Sequence, residues 1–123
     1  MAKKYVGNIV MEVDSVDVEV FSLEVTRGSL RKVVKTMNRK GRAAGSVELT
    51  PDFTLRAEVV IPKTGDLDWD AIDDAKITIS PKEGGGKRVS YLECGVTDVG
   101  ERYNVDDEAR RTLDMYALDK IEE

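Results

Sequence analysis

Residues 53–61 read FTLRAEVVI, and this stretch decides the fold. Its apolar side chains occupy alternate positions, namely Phe53, Leu55, Ala57, Val59 and Ile61. A period of two places all five on one face of an extended chain, which is typical of a β-strand that covers a core. Pro51 and Asp52 precede the stretch and Pro62 follows it, so both ends of the strand are marked by residues that interrupt a ladder.

Similar alternation continues on both sides of this strand. Two N-terminal stretches, GNIVMEV (7–13) and VEVFSLEVT (18–26), are rich in β-branched residues and flank a turn at Asp14–Asp17. In the second stretch, strict alternation would place Val18, Val20 and Glu24 on one face and Glu19, Phe21, Leu23 and Val25 on the other. Further strands are expected at 47–49, 76–80, 88–99 and 110–118.

Only one segment has helical character. Residues 66–74, DLDWDAIDD, carry acids that suit a helix N-terminus, and Asp66 or Asp68 could cap it. Leu67, Trp69 and Ile72 would supply a small apolar face, with Trp69 in the core. The sequence therefore predicts a mainly β protein: an antiparallel two-sheet sandwich or partly open barrel of about seven strands, with one short flanking helix. Residues 81–87 would form a flexible turn, and the terminal DKIEE a short acidic tail.

Length and composition limit the class of protein. A chain of 123 residues is expected to form a single domain, residues 1–123. The first residues, MAKKYVG, lack the apolar segment of a secretory signal, and no apolar run is long enough for a membrane span. The lone Cys94 has no internal disulfide partner, so we expect synthesis and folding in a cytosol, without a membrane anchor.

No pattern in the chain indicates catalysis or a cofactor. Histidine is absent, and Cys94 lies in a strand pattern without a base partner, so a buried thiol is expected. Gly84–Lys87 lacks the spacing of a phosphate loop, and the aspartates of residues 66–74 lack the glycine and glutamate of a calcium loop. We therefore expect a protein that is not an enzyme and that binds no metal or cofactor.

Residues 27–45, RGSLRKVVKTMNRKGRAAG, form a basic segment that we call the arm. No acid lies between Glu24 and Glu48, so the arm holds a charge of +7 and the rest of the chain, at net −5 overall, holds −12. Charge of this kind selects partners and does not build a fold. The cations are Arg27, Arg31, Lys32, Lys35, Arg39, Lys40 and Arg42.

The sequence leaves the structure and the partner of the arm open. A long β-hairpin or loop is favoured over a short helix, in which Ser29 would cap Leu30, Val33, Val34 and Met37. The arm has too few apolar residues to fold alone, so its order is expected to depend on a partner. It could be a solvated loop, a nucleic-acid arm, or an arm that docks on the acidic body of an identical neighbour.

The order of these elements resembles the major tail tube proteins of long-tailed bacteriophages, in their small, Mu-like branch. The similarity is carried by the strand pair that opens at Val6, then VTRGSLRKVVKTMNRKGRAAGSVEL (25–49) and FTLRAEVVI (53–61), then LDWDAIDDAKITI (67–79) and GKRVSYLECGVTDVGERYNVDDEARRTLDMYAL (86–118). The similarity lies in the order of the elements and extends over nearly the whole chain. The arm is more basic than the resemblance requires.

The resemblance implies a structural virion protein. Such proteins form hexameric rings that stack into a hollow tail tube, the conduit for DNA ejection, with the subunit sheets joined into one inner barrel. The partners would be further copies of the chain and other tail proteins such as the tape measure, terminator, baseplate or sheath. Assembly would occur in the bacterial host cytoplasm, and the product would lie in the virion tail.

If the chain lines such a tube, duplex DNA must pass without tight binding, which a negative wall would ensure by repulsion. Polar positions of the strongest strands give four candidate lumen-facing acids, Glu19, Glu58, Glu93 and Asp114. A one-residue error in register would move any of them to the other face.

Two other interpretations fit the same residues. A small β-barrel nucleic-acid module could use Arg31 to Arg42 on phosphates, although the arm lacks aromatic residues for base stacking. Alternatively, the chain could be a tube-forming secretion protein, or another tail component, with the same fold.

Overall fold

The computed structural model describes residue 3 and residues 5–82 and 87–122. Residues 83–86 of the turn predicted at 81–87 lie outside the described residues. Within them the chain forms ten strands and one short 3-10 turn, η1, at Trp69–Ala71. The strands are β1 Ile9–Val13, β2 Val16–Val18, β3 Val20–Gly28, β4 Arg31–Val34, β5 Gly45–Glu48, β6 Asp52–Val60, β7 Ala75–Pro81, β8 Val89–Arg102, β9 Arg110–Ala117 and β10 Asp119–Glu122.

Eight strands are joined by antiparallel pairing in the order β2-β1-β7-β8-β9-β6-β3, with β10 also paired to β8. The long strand β8 links two layers, because its first part pairs with β7 and β10 and its second part, Gly95–Arg102, pairs with β9. Glu93, with φ +54°, lies at the bend between the two parts. The predicted antiparallel two-sheet β fold is therefore confirmed.

The core lies between the two layers, where the apolar row of β6 is buried as its alternation predicts. Leu55, Ala57 and Val59 are at most 1% exposed, whereas Phe53 is partly buried at the end of the row. The other layer contributes chiefly Met11 and Ile77, and the predicted burial of Trp69 and Cys94 is confirmed. Among the described residues, every buried polar side-chain atom has a hydrogen-bond partner.

The predicted helix at 66–74 is reduced to the single turn η1. Asp68, at its N-terminus, makes no side-chain capping hydrogen bond, and Ile72 is already extended. Asp66 instead pairs with Arg111 in β9. Aspartate is a poor helix former within a helix, so five aspartates in nine residues favour a loop anchored by the buried Trp69.

Strict alternation is wrong for the segment 18–26. Glu19 lies outside the strands, and β3 has a bulge between Val20 and Ser22. A bulge adds one residue and moves the following side chains to the opposite face. Val20 and Leu23, which alternation placed on opposite faces, consequently both pack against the core.

Within the terminal segment predicted to be a tail, Asp119–Glu122 instead forms β10 and pairs with the first part of β8. Its side chains gave no strand signal, but backbone pairing needs only a free neighbouring edge.

The arm is a β-hairpin, in which β4 pairs with β5 as a separate two-stranded sheet. The favoured interpretation is thus confirmed over the short helix. Lys35–Ala44 forms the tip between the two strands.

Candidate assembly surfaces

The second part of β8 joins β9, β6 and β3 in what we call the four-stranded sheet, which has a free edge on each side. One edge is β3, which pairs only with β6. The other is Gly95–Arg102, which pairs with β9 alone because β7 ends its pairing at Cys94. These statements apply to the described strands. Unpaired edges of eight or nine residues are templates for pairing with another chain.

Each free edge carries a half-exposed valine on the side of the sheet that faces the core. Val25 of β3 lies opposite Leu55, and Val99 of β8 lies opposite Leu113, so both valines share the core face with these buried leucines. Each valine is 37% exposed. Pairing the two edges of neighbouring copies would extend the sheet and cover both side chains.

The opposite face of the four-stranded sheet points outward and holds two of the four candidate acids. Asp114 accepts a hydrogen bond of 2.9 Å from Nε of Arg56. One carboxylate oxygen of Glu58 lies 3.3 Å from Arg110 and 3.4 Å from Arg102. Both carboxylates are therefore engaged by arginines on the same face.

The other two candidate acids lie elsewhere. Glu19 is exposed between β2 and β3, where its carbonyl accepts a hydrogen bond from the backbone N–H of Val60. Glu93 is exposed at the bend of β8. The structure thus brings Glu58 and Asp114 together on one face and separates Glu19 and Glu93 from them.

All seven cations of the arm are exposed, and none makes an ion pair within the described residues. The hairpin also exposes six large apolar side chains, Leu30, Val33, Val34, Met37, Val47 and Leu49. An exposed set of aliphatic side chains on a projecting hairpin is typical of a protein interface.

The tip of the arm is held in shape by Asn38. Its side-chain amide donates hydrogen bonds to the carbonyl oxygens of Arg42, at 2.8 Å, and Thr36, at 3.3 Å. Its side-chain oxygen accepts a hydrogen bond of 3.0 Å from the backbone N–H of Lys40. Gly41 closes the turn at φ +63°, a conformation that glycine adopts without strain. The loop that carries four of the seven cations is therefore ordered by local bonds.

The end of the four-stranded sheet opposite the arm, which we call the loop end, is acidic. The loop at 61–74 follows β6, and the loop at 103–109 joins β8 to β9. Residues 61–70 and 103–109 contain six acids and one base, whereas residues 73–74 lead into β7, where Ala75 pairs with Cys94. Four of the six acids, namely Asp68, Asp70, Asp106 and Asp107, make no ion pair within the described part of the chain.

Arg111 ties the loop end together. Its guanidinium is buried and donates two hydrogen bonds of 2.9 Å to the carboxylate of Asp66, with Glu101 at 3.8 Å. The hydrogen bonds from Arg111 hold the pKa of Asp66 below its ordinary value. Ile61 adds a backbone bond of 3.0 Å to Ala109. Loop 61–74 is consequently fixed against the start of β9.

A small apolar pocket of about 180 Å³ lies at the loop end, under the loop that Arg111 holds. Its walls come from the β2–β3 segment, the end of β6, and the loop at 62–69. Asp17, Glu19 and Asp66 are its acidic lining residues, whereas its remaining walls include Val16, Val18, Val59, Leu67 and Trp69.

Sequence reasoning found the arm but missed its acidic counterpart and the arginines that neutralise Glu58 and Asp114. The sequence contains the aspartates of residues 66–74, but their pattern suggests a capped helix. The proximity of residues 61–70 to residues 103–109 depends on the pairing of β6 with β9, which no local pattern reveals.

The described residues hold no helix long and apolar enough to cross a membrane. They also contain no group of three or more cysteine, aspartate or glutamate side chains arranged to hold a metal ion.

Several solved structures share this fold. A sheath/tube terminator of the PVC extracellular contractile injection system, in its extended state, covers the whole chain at a TM-score of 0.75 and 12% identity, over 98% of its own length. The tube-terminating cap of the anti-feeding prophage matches the whole chain at a TM-score of 0.71 and 10% identity, over 94% of its length.

Hcp1 from Flavobacterium johnsoniae matches 96% of the chain and 94% of its own length, at a TM-score of 0.57 and 12% identity. No protein-family profile matches the chain, and no curated protein matches it in sequence. The chain has the tail tube fold, as the sequence resemblance implied.

Proposed function

We propose that this protein is a structural subunit of a tail tube, built from stacked hexameric rings that conduct DNA during ejection from a phage particle. The observation that carries the proposal is the pair of free edges on opposite sides of the four-stranded sheet. A head-to-tail contact between different edges is heterologous, and such contacts generate rings when the rotation closes. The hexameric number and the DNA cargo rest on the sequence resemblance to tail tube proteins.

The arm would then join one ring to the next. It projects from the end of the four-stranded sheet where Gly28 pairs with Asp52, and the acidic loops lie at the other end, beyond Val60. In a head-to-tail stack the arm, with charge +7, faces an end at which Asp68, Asp70, Asp106 and Asp107 make no ion pair within the described residues. Attraction between the two would align successive rings with one polarity.

In this role the chain would assemble in the host cytoplasm and lie in the virion tail. It would meet other tail proteins such as the tape measure, terminator, baseplate or sheath at the ends or outer surface of the tube. The structural similarity to a sheath/tube terminator and a sheath-tube complex of an extracellular contractile injection system supports a second setting for the same role, a tube of an injection or secretion system. Neither setting requires catalysis by the subunit.

A nucleic-acid-binding module is the competing function, and the arm gives the observation that weighs against it. Binding to phosphates needs cations, but it gives no reason for Leu30, Val33, Val34 and Val47 to be exposed along the same hairpin. Aliphatic side chains interleaved with cations suit a protein surface that is both acidic and apolar.

The test is assembly of the purified full-length chain at high concentration, followed by light scattering and negative-stain electron microscopy. Val25→Lys and Val99→Lys each place a charge where the two edges would meet, so we expect either variant to stay folded but to lose rings and tubes. Lysine can extend its charged end to water from these half-exposed positions. Thr112→Lys, on the exposed outward face of the central strand β9, is the matched control and should assemble.

A wild-type chain that remains monomeric at millimolar concentration in several salts would contradict the proposal. Assembly of Val25→Lys and Val99→Lys at the wild-type concentration would show that the edges of the four-stranded sheet are not the ring contact.

A further inference from the structure

We propose that Met37, at the tip of the arm, inserts into the apolar pocket at the loop end of a second copy of this chain. The inference rests on the proposed tube and specifies the residue and the receiving site of the contact between rings. It assigns a binding role to a pocket that the contacts within one chain leave open.

The first observation is the exposure of Met37. Its relative exposure is 104%, so no part of the side chain is covered within the subunit. The loop around it is nevertheless ordered by Asn38 and Gly41, so the methionine is presented at a fixed place on the tip. Methionine is flexible and polarizable and fills irregular apolar sites well.

The second observation is the size and lining of the pocket. Its volume of about 180 Å³ exceeds the roughly 150 Å³ of an engineered apolar cavity that takes benzene, and a methionine side chain has fewer heavy atoms than benzene. Val18, Leu67 and Trp69 supply apolar walls. The pocket is partly open to solvent, so it can receive a side chain without unfolding the loop.

Charge at the pocket matches charge at the tip. Asp17 and Glu19 line the pocket, are exposed, and make no ion pair within the described residues. Asp66 is already held by Arg111 and is not needed for docking. The tip carries Lys35, Arg39 and Lys40 on either side of Met37. Insertion of the methionine would bring these cations to the two free acids at the pocket.

The tip of the arm lies outside the pocket of its own chain, so we assign the contact to two copies. The arm leaves the four-stranded sheet at Gly28, whereas the pocket lies beyond Val59 at the other end of β6. The nine residues of β6 separate the two ends by about 26 Å, at a rise of about 3.3 Å per residue. Met37 is fully exposed and does not line the pocket of its own chain. A second copy stacked in the same orientation places its pocket in front of the arm.

Disulfide cross-linking between two populations of the full-length chain tests the contact. One population carries Met37→Cys, and the other carries Val16→Cys at the half-exposed edge of the pocket. Burial raises the pKa of the native Cys94 thiol to about 11, so this cysteine is largely protonated and does not compete. Val105→Cys is the control partner, since Val105 is completely exposed in the 103–109 loop but does not line the pocket.

We expect the Met37→Cys chain to form at least about tenfold more cross-linked dimer with Val16→Cys than with Val105→Cys, under assembling conditions. Equal cross-linking to both partners in a sample that forms tubes would overturn the pocket contact and leave the tube intact. A sample that forms no assembly at all would overturn both the inference and the proposed function.

A second measurement separates packing from charge. Met37→Asp should raise the protein concentration needed for assembly by about tenfold, because the apolar burial is lost. Ala43→Asp makes the same change in charge at another exposed position of the tip and should have a smaller effect. Met37→Leu should assemble like the wild type. Equal effects of Met37→Asp and Ala43→Asp would show that the tip acts through charge alone and would overturn the insertion.

Discussion

At the scale of single residues, Gly95 and Tyr116 form a close cross-strand pair between β8 and β9. A Cβ atom built on Gly95 would overlap the ring of Tyr116, so the ring lies directly on the glycine backbone. An aromatic side chain laid over a glycine in a neighbouring strand covers backbone that would otherwise be open to water. Gly95 thus has a packing role just beyond the bend of β8.

Gly95→Ala is therefore expected to displace the Tyr116 ring and to lower the free energy of unfolding by about 1–2 kcal/mol. Gly100→Ala, in the same strand, is the control, because the nearest atoms to its Cβ lie 4.0 Å away. Denaturant unfolding of both variants measures the difference. In a Tyr116→Ala background the cost of Gly95→Ala should disappear, and a cost that persists there would contradict the packing role.

The ion pair of Asp66 and Arg111 makes the stability of the fold depend on pH. Its hydrogen bonds lower the pKa of Asp66 in the folded chain, so the pair stabilises the fold above the ordinary aspartate pKa and loses this contribution as the pH falls through the folded value. Asp66→Asn should lower stability by about 1 kcal/mol at neutral pH, since the carboxylate is one-third exposed and water screens the pair.

The difference between Asp66→Asn and the wild type should shrink as the pH falls below about 4, because the wild-type carboxylate is then neutralised as well. Asp68→Asn is the control, as its side chain makes no capping bond and no ion pair within the described residues. Unfolding curves across pH 2–7 check this. A constant difference over that range would show that Asp66 acts by its shape and not by its charge.

At the scale of elements, the arm is attached to the body without being part of its core. All residues from Ser29 to Thr50, which include the hairpin of the arm, are exposed, and β4 and β5 pair only with each other. Gly28 and Asp52 are the last pair of β3 and β6, so a short turn could connect these two strands in place of the arm.

Replacing residues 29–51 by a short Asn-Gly turn should leave the folded body with nearly unchanged thermal stability and abolish stacking. The reason is that the deletion removes exposed side chains but no buried contact. Circular dichroism melting and electron microscopy measure the two outcomes. Isolated rings without tubes are expected, whereas full-length tubes from the shortened chain would contradict a role of the arm between rings.

In the full-length chain, amide hydrogen exchange should be fast in the arm of the monomer and slow after assembly. The hairpin has eight paired residues and no core, so its opening costs little until a partner covers it. Equal protection in both states would contradict this expectation.

At the scale of the whole molecule, charge is separated along the strands, with +7 in the arm and, at the loop end, four acids without an ion pair among the described residues, Asp68, Asp70, Asp106 and Asp107. On the outward face of the four-stranded sheet, each of three arginines forms an ion pair with a carboxylate. These arginines are Arg56, Arg102 and Arg110. If this face lines the tube, its arginines are not free to hold phosphates, and the arms are occupied between rings.

Assembled tubes are therefore expected to bind duplex DNA negligibly in moderate salt, and monomers with free arms only weakly. A filter-binding titration on both forms measures this. The fourfold variant Arg31→Gln, Lys32→Gln, Arg39→Gln, Lys40→Gln should abolish the weak binding of the monomer. Micromolar, salt-sensitive binding that persists in tubes and is lost in the variant would favour the nucleic-acid module.

The sequence alone determined what depends on local pattern and composition. The alternation of residues 53–61 predicted a core strand, and Leu55, Ala57 and Val59 are buried as expected. The hairpin in the arm was favoured because Asn38–Gly41 suits a turn, and these residues form the tip. The charge of the arm, the buried Cys94 and the mainly β class were also readable, since each follows from side-chain chemistry or a period of two.

Only the tertiary structure decided the features that depend on pairing between distant segments. The bulge in β3 moves the side chains beyond it to the opposite face of the sheet. The segment of β10 lacks a strand-like side-chain pattern, and it forms a strand because it pairs with a free edge of β8. The positions of Glu58 and Asp114 beside arginines, and of the acidic loops opposite the arm, follow from the register of β6 with β9. Register joins residues more than fifty positions apart, and a shift of one residue would exchange the two faces, so no local pattern could have fixed it.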